Sequence, residues 1–171
     1  MRTNKLVLLP LCAALAIAAI VVVIAQSRDT IAAEFKAGDI TVVTPWSRAT
    51  PGGAKVATGY LVIENSAGTT DRLVSVTAEV AGRTEIHQMS MADGMMKMRH
   101  VTDGVPVPAH GSVALEPSSY HLMLLDLKRP LKEGETFSGS LSFERAGSVD
   151  VTFEVKGIGA ASPAEGPHQH P

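Results

Sequence analysis

The chain has one cysteine in 171 residues, Cys12, and it lies inside an apolar leader. Everything after that leader is free of thiols. This excludes disulfide bracing and thiolate chemistry from the body of the protein. Basic clusters are missing too. Fifteen Lys and Arg face 17 Asp and Glu, a formal charge of −2, and no basic run offers the footprint that nucleic acid requires. Without Arg2 and Lys5 of the leader, 13 basic residues face 17 acidic ones, a net of −4. No segment repeats at a fixed period, and no convincing helical pattern follows the leader. Nucleophile elbow, phosphate loop, dinucleotide fingerprint and zinc-hydrolase motif are all absent from the sequence. An enzyme is therefore not expected.

Long hydrophobic stretches are also scarce, with one exception. Arg2 and Lys5 precede an unbroken apolar run from Leu6 to Ala25, the arrangement that sends the following chain across a membrane. Residues 1–27 are read as a signal peptide or membrane anchor. Twenty apolar residues span a bilayer, whereas a signal core is usually about 7–15 residues long, so an anchor is slightly favoured. Cys12 follows Leu11 rather than a small residue and falls early, which does not suit lipid attachment. Residues 28–37 read as a polar connector, 38–157 as the folded domain, and 158–171 as a disordered tail. The expected location is the periplasm.

Methionine and histidine are what the chain does have. Six of seven methionines and four of six histidines lie between His87 and Met123. Asp93-Gly94 between apolar-rich runs is a two-residue hairpin signal. That turn would set Met91 against Met96, Met89 against Met98 and His87 against His100. Side chains alternate across a strand, so these six share one face, and His121 and Met123, two apart, share a direction as well. A methionine alone reads as core packing. Paired with histidine at a spacing of two on a surface hairpin, it reads as a metal ligand. Thioether and imidazole together suit Cu(I) and discriminate against Mg, Ca and Mn ions. A blue-copper electron carrier is excluded, because its site needs a cysteine thiolate. A methionine-rich site stabilises Cu(I) and so resists redox cycling.

The spacing His87-x10-Met98-x22-His121-x-Met123 resembles the His/Met signature of the PCuAC periplasmic copper chaperones. Thr84 to His87, Tyr120 to Leu124, Leu127 to Leu131, Pro45 to Pro51 and Gly59-Tyr60 are similar to that family too, a likeness spanning roughly Gly38 to Gly157. The resemblance implies Cu(I) ligands at His87, Met98, His121 and Met123. Met89, Met91, Met96 and His100 fall outside the signature and read as supporting shell, spare ligands or packing. It further implies a monomeric carrier that passes copper to a membrane cuproenzyme, such as the CuA centre of cytochrome c oxidase, or to another copper chaperone. Sequestration of copper for tolerance is the alternative. On the tail, His168 and His170 are a weak signal, and their harder nitrogens would favour Cu(II).

Eight or nine short runs rich in Val, Ile, Thr and Leu, each bounded by turn residues, predict an all-β Greek-key sandwich. The family resemblance makes it cupredoxin-like. The expected core comprises Val42, Leu61, Ile63, Leu73, Val76, Leu115, Leu124, Leu141, Phe143, Val151 and Phe153. Trp46 is expected to pack at a sheet end, His110 to sit exposed at a turn, and Asp126 and Glu116 to be solvated or to support the metal site.

Overall fold

Val149, Val151, Phe153 and Val155 are buried along the last strand, while Asp150, Thr152 and Glu154 between them are exposed. This period of two, with one face in the core and the other in water, is the rule by which the domain is built. The computed structural model describes residues 33–92 and 94–161, and its regular structure is all strand. In chain order these are β1 (Glu34–Ala37), β2 (Ile40–Arg48), β3 (Val56–Asn65), β4 (Asp71–Ala78), β5 (Arg83–Ala92), β6 (Met95–His100), β7 (Val105–Val107), β8 (Gly111–Leu115), β9 (Tyr120–Leu125), β10 (Thr136–Phe143) and β11 (Gly147–Lys156). The leader, Asp93 and the tail from residue 162, with His168 and His170, lie outside the described residues.

Hydrogen bonding runs continuously in the order β6-β5-β9-β8-β3-β2-β11-β10-β4-β7, with β1 attached to β2. The sheet curls round a single core to which all eleven residues expected there contribute. The Phe137 and Phe153 rings stack at its centre, 5.0 Å apart and 6° from parallel. Gly139 permits this, since a Cβ there would stand 2.9 Å from the Phe153 ring and 2.8 Å from the Thr77 carbonyl.

Two strands exceed the sequence expectation. Gly104-Val105-Pro106-Val107-Pro108 looks broken by its prolines, yet β7 buries Val105 and Val107 and pairs with β4 at the end of the sheet path. Proline is tolerated on such an edge. The expected connector 28–37 is corrected as well. Its last four residues form β1, a hairpin partner of β2 whose Phe35 and Ala37 pack against the core. The tail expected to be free from residue 158 is likewise held at its start, where Arg48 Nε donates to the Ala160 carbonyl at 2.7 Å.

Candidate metal centre

The centre is carried by β5, which pairs with β6 on one side and β9 on the other. Ile86 on β5 and Leu122 and Leu124 on β9 are buried and fasten this part of the sheet to the core. Each such burial contributes about 1.5–3 kcal/mol. Beyond Ile86 the β5–β6 hairpin leaves the sandwich, and every residue of β6 is exposed. Val101 N donates to Ile86 O at 2.8 Å at its base, and Met89 N donates to Ser119 O at 3.0 Å. Gly94 has φ 74°, a conformation that glycine adopts without strain. The register is the one expected: His87 faces His100, Met89 faces Met98 and Met91 faces Met96.

His87 also faces His121 on its other side, so His100, His87 and His121 form one row across three strands. The His87 and His121 ring centres are 6.0 Å apart and tilted by 47°. His87 and His100 are 5.4 Å apart and stacked. An ion lying between two imidazoles, about 2.0–2.1 Å from each nitrogen, would hold ring centres roughly 6 Å apart. The first pair has that spacing.

Hydrogen bonding selects the tautomer of each ring. His87 Nε2 lies 2.8 Å from the Glu85 carboxylate, which when ionised can only accept, so Nε2 carries the proton. The lone pair is then on Nδ1, and Nδ1 is buried with no hydrogen-bond partner. His121 is arranged the other way round: its Nδ1 donates to the Ser119 carbonyl at 3.3 Å, which leaves the lone pair on Nε2. A buried acceptor without a donor is costly, and a metal ion is one group that would satisfy it.

Charge follows the same plan. The hydrogen bond from His87 is the main cause holding Glu85 below its ordinary value, with partial burial opposing it and His100 and Arg83 adding to it. Burial lowers His121, the Ser119 carbonyl works against that, and His87 reinforces it. His121 is 5% exposed, and this burial favours the neutral imidazole, the form that can bind a metal.

Of the four ligands designated by the family resemblance, the structure brings His87 and His121 side by side. Met98 and Met123 share their face but flank them on opposite sides. Met98, opposite Met89, is one step towards the hairpin tip. Met123, opposite Glu85 and Thr58, is one step towards its base. Among the described residues no three His, Cys, Asp or Glu side chains are grouped to hold an ion by themselves. Glu85 was missed in the sequence, although it stands two residues before His87 and so on the same face. His100 stacks on the His87 ring at 5.4 Å, on the side away from His121. Asp126 and Glu116 are exposed, and Asp126 faces Arg83 instead, at 4.0 Å. His110 is exposed with φ 48°. Trp46 is buried against Tyr60, with ring centres 4.5 Å apart.

Residues 40–155 match the model of the family described as "Putative lipoprotein LpqE-like". Among solved structures, the apo PCuAC domain from PmoF1 is 30% identical with a TM-score of 0.62, covering 73% of this chain and 99% of that one. The copper-bound PCuAC domain from PmoF2 is 26% identical with a TM-score of 0.62, covering 73% and 98%. The solution structure of the Cu(I) form of DR1885 from Deinococcus radiodurans is 27% identical with a TM-score of 0.51, covering 66% and 75%. On the match over residues 40–155 the chain belongs to the LpqE-like family, and its domain is similar in sequence and fold to PCuAC domains.

Proposed function

We propose that this protein is a metallochaperone that binds one Cu(I) through His87, His121, Met98 and Met123 and hands it to a cuproenzyme outside the cytoplasm. The observation that carries this reading is the divided imidazole of His87, with Nε2 held by Glu85 and Nδ1 buried and unpartnered. A carboxylate on the far nitrogen is the usual support of a metal-binding histidine. Thioethers on the same face make the donor set soft, which favours Cu(I). The PmoF2 and DR1885 domains, whose structures contain copper, support the same reading. The chemistry needed is binding and release rather than turnover, so the protein acts as a carrier and not as an enzyme.

The destination we favour is the CuA centre of cytochrome c oxidase, reached in the periplasm. Relatives named as lipoproteins fit an exported, membrane-associated protein. In this chain Cys12 follows Leu11 within the apolar run, so the tie to the membrane proposed here is the segment Leu6 to Ala25 itself. A transfer assay tests the function. The Cu(I)-loaded protein is mixed with a copper-free CuA domain, and copper is followed by separating the two. A carrier loses its copper to the acceptor. Retention against the acceptor would replace this reading with sequestration.

A further inference from the structure

The hairpin tip carries chemistry that the His/Met centre does not use. Its two faces are sharply different. One shows Gln88, Ser90, Lys97 and Arg99, with a single methionine, Met95, beside the turn, and Arg99 donates to the Gln88 side chain at 2.7 and 3.1 Å. The other shows Met89, Met91, Met96 and Met98, in two directly opposed pairs. Packing does not account for this thioether face. Met91 is 64% exposed and Met96 54% exposed, beyond the edge of the core. Exposed strand positions ordinarily take polar residues, as Gln88, Ser90, Lys97 and Arg99 do on the opposite face, where Met95 is the one exposed methionine.

We propose that Met89, Met91 and Met96 form a second soft-metal site at the hairpin tip, which takes Cu(I) on thioethers alone. Met91 and Met96 are cross-strand partners, whose Cα atoms in such a ladder are about 4.5–5.5 Å apart. Met89 lies two residues along the same face, about 7 Å away. Three rotatable bonds let each thioether swing its sulfur towards a shared ion. Soft, uncharged sulfur selects Cu(I) over harder ions. The site requires neither imidazole, so it stands or falls independently of the His/Met centre. Met89 stands level with Met98, while Met91 and Met96 lie one step beyond it on the same face, and an ion bound there would be the one more open to solvent.

The test is a Cu(I) titration, under reductant, of the protein isolated from its producing cells. His168→Ala/His170→Ala is the background throughout, so that the tail contributes no nitrogen. The expected result is two equivalents in that background and one in Met91→Leu/Met96→Leu, with the tighter affinity unchanged. Resonances of the Met91 and Met96 ε-methyl groups should shift with the second equivalent. In His87→Ala/His121→Ala the tighter equivalent should be lost and the thioether one retained. A single equivalent in the background protein overturns the site, as does a second equivalent that survives Met91→Leu/Met96→Leu. The leucine substitutions fall at exposed positions, and thermal unfolding verifies that both variants are folded.

Discussion

The Glu85 carboxylate lies 2.8 Å from Nε2 of His87, while Nδ1 of the same ring is buried with no partner. The two residues are one side-chain repeat apart on β5, so the sheet itself aligns them. If Glu85 orients the ring for a metal, Glu85→Ala should weaken Cu(I) binding by about 10–100-fold, the usual cost of losing such a support. Competition against a Cu(I) probe of known affinity measures it. An unchanged affinity would mean that the carboxylate only solvates the imidazole.

Removing the thioethers should separate binding from folding. Met98 is 52% exposed, and replacing Met by Leu costs under about 1.5 kcal/mol even in a core. Met98→Leu/Met123→Leu should therefore abolish tight Cu(I) binding and barely move thermal unfolding of the metal-free protein. X-ray absorption of the copper-loaded parent should show mixed sulfur and nitrogen scattering. Nitrogen and oxygen alone would remove both methionines from the site.

Leucine 122 gives the opposite pattern. It is fully buried behind His121 and Met123, and Leu122→Ala should destabilise the domain by about 2–5 kcal/mol. Denaturant unfolding of the metal-free protein checks this. A loss well below that range would show that the sheet collapses onto the vacated space.

Acid should act on the centre through His121. Its folded value is lowered from 6.5, chiefly by burial, so on acidification the unfolded chain takes up the proton first. Stability is complete above about pH 6.5, falls as the pH drops from there towards the lowered folded value, and is lost no further by this group below it. His121→Gln should flatten that slope in unfolding experiments. Copper affinity should fall only at lower pH, once the folded His121 itself takes up a proton, because imidazole binds metal only when neutral. A pH-independent affinity would leave both imidazoles outside the copper shell.

Export is tested by fractionation. Full-length protein in the membrane fraction is the expected outcome for an uncleaved apolar anchor. A shortened soluble form outside the cytoplasm would show cleavage, and full-length soluble protein inside it would contradict export.

Much of this was legible in the sequence. Asp93-Gly94 and a period of two fix the hairpin register without tertiary information, and alternation picks out the core residues from Val42 to Phe153. The rest depends on which strands become neighbours. Nothing local says that β9 lies beside β5 and so sets His121 against His87. For the same reason the prolines concealed β7, whereas Glu85 was within reach of a local reading, since it stands two residues before His87 on one strand. The pairing of His87 with His121 is a product of the sheet order.

That order has one more consequence. β6 stands at the end of the hydrogen-bonded path and pairs only with β5, whereas β9 is clasped between β5 and β3. The centre thus has a detachable wall and a fixed one. Peeling β6 away withdraws Met98 and His100 together yet leaves His87 and His121 in place. An acceptor approaching from that side would meet the copper with two imidazoles still attached, and the last bonds to break would be those rooted in the core.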